Sequence, residues 1–193
     1  SAATAISVLA PPVADFSANA TVIPTGSAVA FTDASTGNVT AWSWDFGDEE
    51  TSTDRNATHT YAAPGTYTVT LNASNAYGYN LTARTNYIDV GDLPVPAFSA
   101  NATVGGLPFA VAFTDESANA PTAWNWTFGD GSFSEDQHPV HVYEAPGLYT
   151  VILTATNQYG SNQTARTNYI DANHAPAANF TPSATLGVVP AAI

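Results

Sequence analysis

An internal repeat of constant spacing constrains this chain more than any other feature. Trp124 follows Trp42 by 82 residues, and every other matched pair keeps that offset. Phe16-Ser17-Ala18-Asn19-Ala20-Thr21 returns as Phe98-Ser99-Ala100-Asn101-Ala102-Thr103, and Phe31-Thr32-Asp33 as Phe113-Thr114-Asp115. Ala63-Pro64-Gly65 returns as Ala145-Pro146-Gly147, and Arg84-Thr85-Asn86-Tyr87-Ile88-Asp89 as Arg166-Thr167-Asn168-Tyr169-Ile170-Asp171. A constant offset leaves no net insertion between the copies, so each is one structural unit. Residues 11–92 and 93–174 are expected to be two complete modules. Ile6-Ser7-Val8 matches Ile88-Asp89-Val90, so residues 1–10 read as the last strand of a preceding module with its linker. Phe180 lies 82 after Phe98, so residues 175–193 read as the first strand of a following one. The chain starts on Ser1 and shows no signal peptide, which reads as a processed or excised segment.

Each unit carries short alternating runs separated by turn residues. Tyr67, Val69 and Leu71 share one strand face, opposite Thr68, Thr70 and Asn72. Trp42, Trp44 and Phe46 share a face likewise. Gly47-Asp48, Pro64-Gly65 and Asn75-Ala76-Tyr77-Gly78 supply turns. Helical periodicity is absent. The pattern predicts an all-β class: tandem two-sheet sandwiches of six or seven short strands, with Trp44, Trp126, Tyr67 and Tyr149 as structural core.

Composition limits the function. Lys is absent, and Arg55, Arg84 and Arg166 face sixteen carboxylates, for a net charge of -13. That field repels nucleic acid and anionic membranes. No apolar run is long enough to insert into a bilayer. Without Cys there is neither a disulfide framework nor thiolate chemistry, and a prokaryotic source is favoured.

At Trp44-Asp45-Phe46-Gly47-Asp48, followed by Tyr61-Ala62-Ala63-Pro64-Gly65-Thr66-Tyr67-Thr68-Val69, the chain resembles the PKD (polycystic kidney disease) domain family. The second copy keeps Trp126, Phe128, Gly129, Asp130, Tyr143, Pro146, Gly147 and Tyr149, and puts Thr127 at the Asp position. The resemblance implies an immunoglobulin-like sandwich in an extracellular setting. Archaeal surface-layer and filament proteins, bacterial secreted proteases and chitinases, and animal polycystins carry such modules. Some of them bind calcium through an Asp-x-Asp-Gly stretch. Here the matching segments are Ala34-Ser35-Thr36-Gly37 and Glu116-Ser117-Ala118-Asn119, which lack those aspartates.

Candidate sites weigh toward structure. The four tryptophans could stack on sugar, but a sandwich core needs large inward rings. His59, His138 and His141 could suggest zinc, but positions 138 and 141 differ by an odd number and face opposite sides of a strand. No nucleophile elbow or phosphate loop is present, so catalysis and catalytic residues are not expected. Arg84 and Arg166 are expected to pair with carboxylates, within the module or across a contact. Asp45, Asp48, Glu49, Glu50 and Asp54, with Asp130, Glu135 and Asp136, make an acidic edge. No cofactor is expected beyond a loosely held divalent cation there. Asn-x-Ser/Thr acceptors occur at Asn19, Asn38, Asn56, Asn72, Asn80, Asn101, Asn125, Asn162 and Asn179. Asn72 and Asn125 are expected to point outward.

These readings favour an extracellular structural repeat protein, a self-assembling glycoprotein of an S-layer or filament. Partners would be neighbouring repeats, further copies of the chain, or cell-surface polysaccharide. Assembly candidates at the ends are Ile6, Val8, Phe180, Val188 and Val189, because a lone strand leaves its N–H and C=O groups unpaired. The alternative is a spacer or carbohydrate-binding region of a large secreted enzyme or adhesin.

Overall fold

The structure, a computed structural model, describes residues 10–173. The first repeat forms β1 (Phe16–Ala18), β2 (Val22–Pro24), β3 (Ala28–Asp33), β4 (Ala41–Asp45), β5 (Thr51–Ser52), β6 (Ala57–Thr60), β7 (Gly65–Asn75) and β8 (Gly78–Gly91). The second forms β9 (Phe98–Ala100), β10 (Phe109–Asp115), β11 (Ala123–Thr127), β12 (Phe133–Ser134), β13 (Val140–Tyr143), β14 (Leu148–Asn157) and β15 (Gly160–Asp171). The described residues contain no helix.

Each repeat packs a three-stranded sheet on a larger one. In the first, β1-β3-β6 faces β2-β8-β7-β4-β5; in the second, β9-β10-β13 faces β12-β11-β14-β15. The first repeat has eight strands where the spacing predicted six or seven. After β1 its chain crosses to the other sheet, and β2 runs parallel to β8. In the second repeat that contact shrinks to one parallel bridge, Val104 with Asp171.

The alternation read from sequence is the burial alternation of the strands. On β7, Val69, Leu71 and Ala73 are buried while Thr70 and Asn72 are only half-buried on the other face. Trp44 and Trp126 have no exposed surface. Phe16 meets the Trp44 ring edge-on at 5.2 Å, and Phe98 meets Trp126 at the same distance, the geometry that aromatic quadrupoles favour.

The turn after β4 depends on glycine. Gly47 has a φ of 85° and Gly129 a φ of 87°, both in the left-handed region. A Cβ on either would lie 2.6 Å from the carbonyl oxygen of Thr68 or Thr150. This close approach keeps the Asp45–Asp48 and Thr127–Asp130 turns against β7 and β14.

Candidate functional site: the joint between the repeats

The long hairpins β7–β8 and β14–β15 end in the tips Asn75-Ala76-Tyr77-Gly78 and Asn157-Gln158-Tyr159-Gly160. In each tip the Asn side chain accepts the N–H two residues on, at 2.9 Å, which shapes the turn. Its amide nitrogen then reaches across to the incoming chain. Asn75 donates to the Ala10 and Gly37 carbonyls at 2.9 and 2.8 Å. Asn157 donates to the Asp92 and Asn119 carbonyls at 2.9 and 3.0 Å.

The linker between the repeats is held at successive residues. The carbonyls of Asp92, Leu93 and Pro94 accept side-chain amides of Asn157, Asn119 and Asn162 at 2.9, 2.8 and 3.3 Å. Val95 follows directly, bridged to Ala118. The second repeat then reaches back onto the first. The Tyr159 hydroxyl donates to Asp89 Oδ1 at 3.0 Å, and Gln158 Nε2 to Asp89 Oδ2 at 3.2 Å. The Tyr159 ring lies so close over Gly91 that a Cβ there would be 2.1 Å from it. Tyr77, at the same place in the first repeat, is 52% exposed; the repeat position of Asp89 is there Ser7, outside the described residues.

Sequence reasoning marked the tips only as turns and missed Asp89, Gln158 and Tyr159 as contact residues. The available signal was the Asn-x-Tyr-Gly tip recurring in both copies. Ile6, Val8, Phe180, Val188, Val189 and Asn179 lie outside the described residues.

The remaining candidates are arranged around the two cores. The fully buried tyrosines are Tyr61 and Tyr143, whose hydroxyls donate to the Phe46 and Phe128 carbonyls at 3.2 and 3.1 Å. Tyr67 and Tyr149, expected in the core, are half-buried at its margin. Each stacks on the buried tyrosine and donates to a carbonyl four residues back, Ala63 or Ala145, at 2.8 and 2.7 Å. That geometry is the tyrosine corner, which ties a strand to the turn before it.

His59 and His141 stack flat on Phe46 and Phe128 at 4.3 and 4.2 Å and contact Asp48 and Asp130 at 2.7 Å. His138 occupies the repeat position of Asn56 and replaces its contact. His138 Nδ1 accepts the Asp115 N–H, as Asn56 Oδ1 accepts that of Asp33. Among the described residues no three His, Cys, Asp or Glu side chains converge to hold a metal ion. Within the acidic edge, Asp45 and Asp48 cap the N–H groups of Gly47 and Glu50 at 2.9 and 3.3 Å.

The two repeat-equivalent arginines differ. Arg84 bonds Asp15 at 3.0 Å and the Phe16 carbonyl at 2.8 Å. The residue matching Asp15 is Ala97, so Arg166 lacks that carboxylate. It lies over the Phe98 and Tyr169 rings, 4.9 Å from each, and among the described residues forms no ion pair. Arg84 makes the equivalent cation–π contacts, over Phe16 and Tyr87 at 5.1 and 5.2 Å, so the two arginines share the ring contacts and differ in the carboxylate within the module. Arg55 pairs with Asp33 at 3.3 Å beside the Trp42 ring; its counterpart Gln137 bonds Asp115 at 3.1 Å.

Asp33, Asp115 and Asp130 are each partly buried, which opposes their charge. Hydrogen bonds from Ser35, Ser117 and Ser132 respectively, with Gln137 added at Asp115 and His141 at Asp130, outweigh that and hold each carboxyl below its ordinary value.

The acceptor asparagines separate by what their side chains already do. Asn19, Asn56, Asn80 and Asn101 accept a backbone N–H on Oδ1, and Nδ2, the atom that takes sugar, is uncommitted among the described residues. Asn162 commits Nδ2 to Pro94. Asn72 lies on the outer face of β7 as expected from alternation, but half-buried between β4 and β8, with Oδ1 buried. Asn38 and Asn125 are exposed and bond no described residue through their side chains.

Two sheets packed face to face, with antiparallel hairpins on both sides of an aromatic core, define an immunoglobulin-like sandwich, here present twice. The chain belongs to the PKD domain family, which matches residues 9–90 and again 93–172. It is 28% identical to human polycystin-1 over 130 residues, covering 63% of this chain and 3% of that protein. Collagenase ColQ1 of Bacillus cereus is 28% identical over 102 residues, covering 50% of this chain and 11% of the collagenase. The chain thus spans a small part of the curated relatives it matches. Among solved structures, titin domains I67–I69 share the fold with a TM-score of 0.52 at 13% identity, over 86% of this chain and 66% of that one.

Proposed function

We propose that this chain is an extracellular structural segment, a run of PKD modules set at fixed spacing in a surface layer or filament. The observation that supports it best is the joint, in which three consecutive linker carbonyls and Asp89 are all engaged. A typical intramolecular hydrogen bond contributes about 0.5–1.5 kcal/mol, while freezing one linker residue costs about 1–2 kcal/mol. Five such bonds, three on successive linker residues and two on Asp89, offset a cost of that size at each linker residue and so support a fixed angle. A fixed angle repeated along an array gives reach and regular spacing, which a surface lattice or fibre needs. The net charge of -13 suits a solvated exterior. In this reading the modules bear load and set distance, and carry no catalysis of their own.

Electron microscopy of native cell-surface material, with an antibody against this chain, tests the proposal. Label repeating at a regular interval along a lattice or fibre is expected; label scattered over free secreted protein contradicts it. The similarity to a protein named collagenase favours a second reading, a spacer within a large secreted enzyme or adhesin. A hydrolase domain on the same polypeptide would select that reading.

A further inference from the structure

The outer face of the second repeat carries an open groove with Phe133 and Ile152 in its lining, where the first repeat has Thr51 and Thr70. On β11, Asn125 and Thr127 point outward on either side of buried Trp126. Thr127 sits between Phe133 of β12 and Ile152 of β14, its register partners on the two neighbouring strands. With Asn125, Gly129 and Gly131 they line an open groove of about 600 Å³. Phe133 is 71% exposed. Asn125 is two residues from Thr127 on the same face, so the Phe133 ring lies on its diagonal, within reach of a long or branched substituent.

The first repeat shows what this face looks like without the two apolar residues. Its residues at these positions are Ser43, Asp45, Thr51 and Thr70, with Glu49 where the second repeat has Gly131. Separate exchanges on this one face remove the apolar surface, at Thr51 and Thr70, and the acceptor triplet, at Ser43 and Asp45. Asn125-Trp126-Thr127 is a glycosylation acceptor, and Ser43-Trp44-Asp45 is not. The Asn125 side chain holds no described residue, so a substituent on it costs no existing hydrogen bond.

We infer that Asn125 carries an N-linked glycan whose first sugars lie in this groove, with the C–H face of a pyranose ring against Phe133 and Ile152. In forming it, Nδ2 attacks the anomeric carbon of a lipid-linked sugar phosphate. The N–C bond forms, the C–O bond to phosphate breaks, Nδ2 loses one proton, and the lipid phosphate leaves. The glycan covers apolar surface that the first repeat has no need to cover. Sugars elsewhere on the chain would then be tethers in water, whereas this one is part of the packed module. The inference rests on the extracellular reading above.

Glycopeptide mass spectrometry of the protein from its native cells, followed by melting of glycosylated variants, tests it. Sugar on Asn125 is expected. Asn125→Gln is expected to lower the melting temperature of the second repeat by about 2–5 °C. In the Phe133→Thr background, which installs the first repeat's residue, that loss should vanish. Sugar on Asn19 or Asn101 but not on Asn125 overturns the inference and leaves the extracellular reading standing. No sugar on any acceptor overturns it too, and leaves the reading of the joint as a fixed spacer untouched. Sugar on Asn125 with equal Asn125→Gln losses in both backgrounds shows that the groove does not seat it, which also overturns the inference.

Discussion

At the scale of the residue, Gly129 is a position where geometry leaves one choice: its φ of 87° and its approach to the Thr150 carbonyl both exclude a side chain. Gly129→Ala is expected to destabilise the second repeat by about 2–3 kcal/mol, read as a lower urea midpoint for that repeat with the first repeat unchanged. Residue identity made this position legible beforehand, because a Gly directly after a Trp-x-Phe strand signals a turn needing positive φ. The buried tyrosines were harder. Tyr61 continues a period of two from Ala57 and His59, but the same period leading to Tyr143 runs through Pro139 and His141. A proline at the start of such a run obscures a strand. Tyr67 and Tyr149 are easier to single out, because they follow the Pro64-Gly65 and Pro146-Gly147 turns.

At the scale of the element, the sheets are tied to one another through aspartates as well as through aromatic rings. Asp115 ends β10 in one sheet and accepts Trp124 Nε1 of β11, in the other, at 2.8 Å, with Gln137 at 3.1 Å. Its carboxyl is held below the ordinary value, so its folded form binds protons less readily than the unfolded chain does. Such a group contributes stability that is present above the unfolded value, about 3.9, and is lost as pH falls through the lower folded value. Asp33 and Asp130 act in the same direction. Urea midpoints measured from pH 7 down to pH 2 should therefore hold until about pH 4 and then fall. Asp115→Asn should lower the midpoint of the second repeat at pH 7 and flatten its acid decline; an unchanged acid decline would count against the staple. Strand faces were legible from alternation, because one face of each strand must fill the space between sheets. These staples were not, since Asp115 and Trp124 stand on different strands and only the fold brings them together.

At the scale of the whole molecule, the 82-residue offset announced two equal units, but not whether they swivel. That depends on Asp89 meeting a tyrosine 70 positions further on, a contact no local pattern encodes. The central claim is that the joint fixes the angle between the repeats, and small-angle X-ray scattering of the protein in solution tests it most directly. The intact protein should fit a single arrangement of the two sandwiches. Asp89→Ala combined with Tyr159→Ala should broaden the distribution of distances between them while each sandwich keeps its own melting transition. Identical scattering from the two proteins, or a broad distribution already present in the intact one, would contradict the claim.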